Sequence, residues 1–77
     1  MREAANSSSE TITIIANGQS REVSAGSTIA DFLQEFTIVP SRVVAQLDGG
    51  IVPRSEFDKA ILREGSKLEI VTLVGGG

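Results

Sequence analysis

The segment that decides the fold is residues 28–36, which reads Thr-Ile-Ala-Asp-Phe-Leu-Gln-Glu-Phe. Four apolar side chains recur at the i, i+3, i+4 and i+7 spacing of one helix face: Ile29, Phe32, Leu33 and Phe36. The Thr28 side chain can accept a hydrogen bond from a free backbone N–H at the start of the helix. Asp31 is at the third helical position, where the side chain of a capping box accepts from the backbone N–H of the cap residue. The segment therefore predicts one amphipathic helix. Pro40 is expected to stop it, because the residue before a proline avoids the α region.

A β-hairpin is predicted before this helix. Residues Thr11–Ala16 alternate threonine with isoleucine, the period-two pattern of a strand with one apolar face. Asn17 and Gly18 follow, a pair that accepts positive φ and so favours a type I′ turn. Residues 19–23 would form the returning strand, and their polar character suits an edge of the sheet.

Two further strands, a short helical turn and a last strand are predicted after the helix. Residues 42–47 contain a β-branched run, whereas residues 51–52 are long enough only for an edge strand before a proline. Ser55 is a candidate cap for a short helical turn. The nearly continuous apolar run in residues 68–74 predicts a central strand with partners on both edges.

These elements predict an α+β domain in which one main helix packs across one face of a mixed sheet. The apolar helix stripe must be buried, and one face of the sheet is the surface available to bury it. We expect residues 11–16 and 68–74 to be adjacent and parallel. The helix should cross over before the chain rejoins the sheet, and a strand-crossover-strand unit of this kind should be right-handed. The chain then divides into a mobile N-terminal extension at 1–10, a folded domain at 11–74 and a flexible glycine tail at 75–77.

The composition argues against most enzymes and several classes of binding protein. The chain has no cysteine and no histidine, so it lacks a thiolate nucleophile, the usual general base and the commonest metal ligand. We therefore predict no catalytic residue and no metal site. The net charge of −3 and the scattered basic residues argue against nucleic-acid binding. No apolar run approaches the roughly 20 residues of a membrane span, and residues 1–10 do not resemble a secretory signal. We expect a cytoplasmic protein with no membrane partner.

The chemistry is expected at the C-terminal tail of Gly75, Gly76 and Gly77. Glycines carry no Cβ atom, so they make a thin extension that can enter a narrow channel in another protein. A carboxylate is a poor electrophile until it is joined to AMP as a mixed anhydride. Sulfur can then displace AMP and leave a thiocarboxylate, and the carrier needs no catalytic side chain of its own. The glycines alone could equally be a flexible end or a linker.

Residues 11–77 resemble the ThiS family, the sulfur carrier of thiamin biosynthesis. The resemblance rests on the turn at 17–18, the capped helix at 28–33, Gly-Ile-Val-Pro-Arg-Ser-Glu-Phe at 50–57 and Val-Thr-Leu-Val-Gly-Gly-Gly at 71–77. It implies a ubiquitin-like β-grasp fold. It also implies that a ThiF-type enzyme adenylates Gly77 with ATP, that a donor such as a cysteine desulfurase supplies sulfur, and that the thiocarboxylate gives this sulfur to thiazole synthase, ThiG. The carrier itself would bind no cofactor.

The resemblance also assigns roles to neighbouring residues. Gly75 and Gly76 match the family's tail, which is implied to enter the active sites of partner enzymes. Arg54 is a candidate partner contact because arginine is enriched at interfaces, although a solvated surface residue is at least as good an interpretation.

Three other functions remain open at this point. The first is a MoaD-like carrier that gives sulfur to molybdopterin, and the second is a ubiquitin-like modifier that couples Gly77 to lysine amines. The third is a simple β-grasp binding module whose glycines have no role. The short core and the Ile-Val-Pro-Arg sequence at 51–54 favour the thiamin branch.

Overall fold

A computed structural model describes residues 10–73, which form one five-stranded sheet and one α-helix. The strands are β1 Thr11–Ala16, β2 Gln19–Ser24, β3 Val43–Leu47, β4 Gly50–Val52 and β5 Lys67–Thr72, and the helix is α1 Ile29–Glu35. Two 3₁₀ helices lie at Pro40–Arg42 and Arg54–Glu56. The strand order is β2-β1-β5-β3-β4. This is the predicted α+β arrangement, and its topology is that of a β-grasp fold.

Strand β5 lies in the middle of the sheet, as its apolar run predicts. It is parallel to β1, with Ala16 opposite Leu68, and antiparallel to β3, with Val43 opposite Thr72. The predicted adjacency of the first and last strands, and their parallel direction, are thus confirmed. The strand begins at Lys67 and ends at Thr72, and residue 74 of the predicted strand lies outside the described residues.

Both hairpin turns have the backbone of a type I′ turn. Asn17 and Gly18 have φ values of 51° and 82°, which confirms the turn predicted from that pair. Asp48 and Gly49 repeat the geometry between β3 and β4, with φ values of 52° and 89°. Strands β2 and β4 form the two edges of the sheet, as predicted.

The N-terminus of α1 is closed by the predicted capping box. The Asp31 N–H donates to Thr28 Oγ1 at 3.2 Å, and the Thr28 N–H donates to Asp31 Oδ2 at 3.0 Å. The cap satisfies backbone donors that the first helical turn leaves without intrahelical partners. The local sequence therefore sets where the helix begins.

The prediction that Pro40 stops the helix is wrong, because α1 ends earlier, at Glu35. Thr37 has a φ of 58°, and its N–H donates to the Gln34 carbonyl at 3.1 Å, while the Ile38 N–H donates to the Leu33 carbonyl at 2.8 Å. These two bonds are the Schellman pattern of a helix C-terminus, with threonine at the position that glycine usually occupies. Pro40 instead begins the first 3₁₀ helix.

The predicted cap at Ser55 is also wrong. The second 3₁₀ helix begins after Pro53, and no side-chain hydrogen bond caps it. Backbone bonds hold the turn: the Glu56 N–H donates to the Pro53 carbonyl at 2.8 Å, and the Phe57 N–H donates to the Arg54 carbonyl at 3.1 Å. Pro53 has a φ of −60°, the value its ring imposes, so it orders the turn without a side-chain cap.

The helix stripe packs on one face of the sheet, with one exception. Ile29, Phe32 and Leu33 are buried, but Phe36 is 38% exposed and lies at the helix C-cap. Its ring centroid is 4.7 Å from that of Phe32. Two buried residues between β4 and β5, Phe57 and Leu62, complete the core. Its buried side chains are Ile14, Ala16, Val23, Ile29, Phe32, Leu33, Val43, Ala45, Phe57, Leu62 and Leu68.

Candidate functional site

The predicted site at Gly75, Gly76 and Gly77 lies outside the described residues. The division of the chain at residues 1–10 and 75–77 likewise stays a prediction. The structure does describe the point from which the tail leaves. The Leu73 N–H donates to the Arg42 carbonyl at 2.7 Å, directly after β5 ends. The backbone is therefore anchored at Leu73, one residue beyond the central strand of the sheet.

An apolar outer face lies beside this point on the side of the sheet opposite α1. We use the term for Val44, Val71 and Leu73. Val71 stands opposite Val44 on the neighbouring strand, and Val71 and Leu73 are 55% and 54% exposed. Ile51, on β4, is also 67% exposed, but Gln46 is the residue paired with it on β3. An exposed apolar patch such as the outer face marks a candidate site for protein association.

A groove of about 370 Å³ lies on the helix side of the sheet, beside the end of β5. We call it the Arg21 groove. The residues that line it come from β1, the first hairpin, α1 and β5: Ala16, Asn17, Gln19, Arg21, Phe32, Phe36, Ile38, Ile70 and Thr72. Arg21 is the one charged residue among these described lining residues. Its Nη2 donates to Gln19 Oε1 at 3.0 Å, and its guanidinium carbon lies 5.4 Å from the centroid of the Phe36 ring.

Asn17 has a second role that its position in a turn did not reveal. Its side-chain amide Nδ2 donates to the Ile70 carbonyl at 3.2 Å, and its Oδ1 accepts from the Ile70 N–H at 2.8 Å. Strand β1 ends at Ala16, so this side chain continues the pairing of β5 where the neighbouring backbone has turned away. The sequence analysis missed this contact because 53 residues separate its partners.

We expect Asn17→Gly to lower the free energy of unfolding by about 1–2 kcal/mol, because it removes two hydrogen bonds but keeps a residue that tolerates positive φ. Asn17→Ala should cost about 1 kcal/mol more, since alanine is strained at this φ. Urea denaturation followed by circular dichroism measures both changes. Equal stability of Asn17→Gly and the unmodified protein would show that the amide contributes nothing to β5.

The structure places Arg54 at the end of the sheet from which the tail leaves. Strands β4 and β5 both pair antiparallel with β3, and Val52 and Ile70 are both opposite Ala45. Arg54 follows two positions after Val52, at the start of the second 3₁₀ helix, so it lies toward the same end of the sheet as the end of β5. It is exposed, whereas nearby Phe57 is buried in the core and is not available to a partner. A partner contact at Arg54 stays a prediction.

The described part of the chain gives no evidence for a metal or membrane site. Within residues 10–73, no group of three or more potential ligand side chains is placed to hold a metal ion. No helix in that range is long and apolar enough to cross a membrane.

Comparison with known proteins identifies the relatives of this chain. The model of the ThiS family matches residues 10–77. The chain is 34% identical over 64 residues to a thiazole synthase from Paramagnetospirillum magneticum, and the match covers 83% of this chain and 20% of that one. A second thiazole synthase, from Magnetococcus marinus, is 28% identical, with 19% of its length covered. The chain thus spans about a fifth of the length of these curated relatives.

Two further matches are closer to this chain in length. Uncharacterized protein ycf40 from Trieres chinensis is 31% identical over 65 residues, which cover 84% of this chain and 89% of that one. The crystal structure of a thiamine biosynthesis protein (ThiS) from Geobacter metallireducens superposes with a TM-score of 0.74 at 22% identity, covering 86% of this chain and all of that one. The structural match confirms the β-grasp fold.

Proposed function

The chain belongs to the ThiS family, and from this premise we propose that it carries sulfur for thiamin biosynthesis on the terminal carboxylate of Gly77. Membership makes it a carrier protein rather than an enzyme with an active site of its own. The observation that carries the proposal is the family match at residues 10–77, which includes the glycine tail as well as the folded domain.

The proposed chemistry has two steps, and partner enzymes catalyse both. A carboxylate oxygen of Gly77 attacks the α-phosphorus of ATP, so pyrophosphate leaves and an acyl-adenylate forms. A sulfur nucleophile at the oxidation level of hydrosulfide then attacks the acyl carbon, which forms a C–S bond and breaks the C–O bond to AMP. The product is a C-terminal thiocarboxylate. A ThiF-type enzyme would perform the adenylation. A cysteine desulfurase would supply sulfur as a persulfide, from which a second thiol releases the hydrosulfide while the two thiol sulfurs join in a disulfide.

The anchoring of β5 supports delivery of the tail into a partner. Strand β5 is paired on both sides, with β1 and β3, and the Leu73 N–H is bonded to the Arg42 carbonyl. The domain is thus a rigid base for a short tail, and binding energy at its surface can position Gly77 in a deep active site. The absence of Cβ atoms in residues 75–77 would let that tail pass through a narrow channel.

The proposed acceptor of the sulfur is thiazole synthase. Two curated relatives bear that name, and the part of each that matches this chain is about a fifth of its length. A sulfur carrier and the enzyme that consumes its sulfur must meet, and a covalent connection between two such units would raise their effective concentration. We propose that the apolar outer face and Arg54 are the surfaces on which the partner docks, because they flank the end of β5.

The proposal predicts which acceptor enzyme takes the sulfur. Thiazole synthase and molybdopterin synthase would both need the same thiocarboxylate end of the carrier. Selection between these two acceptor enzymes must therefore come from the protein surface beside that end. The thiocarboxylate form is expected to support thiazole formation with thiazole synthase and to give no molybdopterin with molybdopterin synthase. The experiment loads the protein with sulfur, confirms the thiocarboxylate by intact mass, and offers it to each acceptor in turn. Transfer to molybdopterin alone would overturn the thiamin assignment but keep the carrier chemistry, and failure to form any adenylate or thiocarboxylate would overturn both.

A further inference from the structure

We infer that the Arg21 groove is a docking site for a carboxylate-bearing segment of the adenylating enzyme. Arg21 would bind an acidic side chain of the enzyme at the mouth of the channel that receives the tail. The inference rests on the proposed function, since it needs an enzyme that takes the tail. It assigns a second surface, on the helix side of the sheet, in addition to the apolar outer face.

The position of the groove is the first argument. Ile70 and Thr72 line it, and Thr72 is the last residue of β5. An enzyme that encloses the residues after Leu73 must pack around the end of this strand. Its surface therefore meets the apolar outer face on one side of the sheet and the Arg21 groove on the other.

The charge of the groove is the second argument. Arg21 is its one charged lining residue within the described range, and its side chain contacts two uncharged groups, Gln19 Oε1 and the Phe36 ring. Neither of these contacts within residues 10–73 brings a negative charge to the guanidinium, on a chain whose net charge is −3. A guanidinium carries five N–H donors, so the bond to Gln19 leaves others for a carboxylate, which it can bind through two parallel bonds.

The restricted conformation of the Arg21 side chain is the third argument. Arginine side chains lose rotamer freedom on binding, and this entropy opposes association. The hydrogen bond to Gln19 at 3.0 Å and the aromatic ring 5.4 Å away already restrict Arg21 in the free protein. Phe36, which is 38% exposed, and half-buried Ile38 add apolar surface beside the charge. The groove therefore fits a carboxylate flanked by apolar groups.

The backbone of β5 offers a main-chain contact at the same place. Even-numbered residues of β5 direct their backbone groups toward β1, since the Leu68 carbonyl accepts from Asn17 and Ile70 pairs with the Asn17 amide. By this alternation the N–H and C=O of Thr72 face the same side. Within residues 10–73, the parallel register of β1 ends opposite Leu68, so an extended segment of the enzyme could pair with Thr72 there.

The test compares three single-residue variants in binding to the ThiF-type adenylating enzyme of the same organism, measured by titration calorimetry. Arg21→Gln is expected to raise the dissociation constant about 5- to 20-fold and Arg21→Glu about 50-fold or more, since the second change places like charges together. Arg63→Gln is the matched control, because Arg63 is an exposed arginine whose backbone is hydrogen-bonded to Ser66, directly before β5 and so at its opposite end. It should change the constant by less than about 2-fold.

Salt dependence separates a charge contact from a change in folding. Arg21 is exposed, so circular dichroism melts of all three variants should match the unmodified protein within a few degrees. The unmodified protein should lose affinity with added salt more steeply than Arg21→Gln does. Equal affinities for Arg21→Glu and Arg63→Gln, with the unmodified protein still adenylated, would overturn the groove assignment alone. A failure of the unmodified protein to undergo ATP–pyrophosphate exchange would overturn the proposed function and the groove assignment together.

Discussion

Gly76→Val is expected to slow ATP–pyrophosphate exchange by the adenylating enzyme at least about 100-fold, because a displacement of about 1 Å in a reacting group can cost that much. A valine side chain branches at Cβ, so it would widen the tail directly before the reacting residue and restrict its backbone. The substitution lies beyond the end of β5 and should leave the fold intact. Exchange of labelled pyrophosphate into ATP measures the effect, and circular dichroism verifies the fold.

Gly50→Val is the matched control for this substitution. Gly50 lies in edge strand β4, and a Cβ atom there would meet the Leu47 carbonyl oxygen at 3.8 Å, an ordinary van der Waals contact. Valine suits a strand, so the variant should fold and exchange pyrophosphate at close to the normal rate. If Gly76→Val exchanges as fast as this control, the enzyme does not grip the tail closely, and the threading proposal is wrong.

Leu33→Ala is expected to lower the free energy of unfolding by about 2–5 kcal/mol. Leu33 is fully buried at 0% exposure in the stripe that joins α1 to the sheet. A domain this small has a total free energy of unfolding of only about 3–10 kcal/mol. The loss of one such side chain would therefore leave a large fraction of the molecules, or all of them, unfolded. Urea denaturation and thermal melts measure the change.

Leu73→Ala is the control for this prediction, because it removes the same atoms from a side chain that is 54% exposed. It should cost less than about 1 kcal/mol, since most of the removed surface is already in contact with water. Similar losses for the two variants would mean that the packing of α1 on the sheet does not dominate the stability of the domain.

The elements that the sequence predicted correctly share a local physical cause. The capping box joins Thr28 and Asp31, which are three residues apart, and the type I′ turn needs only Asn17 and Gly18. The burial pattern of α1 follows from a period of 3.6 residues, and the central position of β5 follows from its continuous apolar run. Each of these signals lies within a few residues of the structure it specifies. The glycine tail at 75–77 was also identified from the sequence, and the sulfur chemistry predicted for it stays a proposal.

Elements at the ends of local patterns were predicted less well. The periodicity extends the apolar stripe to Phe36, but α1 ends at Glu35, and the Phe36 ring lies partly exposed beside Phe32. Periodicity describes which residues share a face and does not say whether the sheet extends far enough to cover that face. The Schellman end at Thr37 was missed because threonine seldom adopts positive φ.

The sequence by itself determined the element types, the helix cap, the edge strands and the family of this protein, because short-range geometry and hydrophobic period specify them. The tertiary structure alone decided that the Asn17 amide would pair with Ile70 and that Arg21 would lie over Phe36 beside the end of β5. These contacts join residues far apart in the chain. They exist because the parallel register of β1 and β5 fixes which side chains meet, and that register is set by packing of the whole sheet against α1.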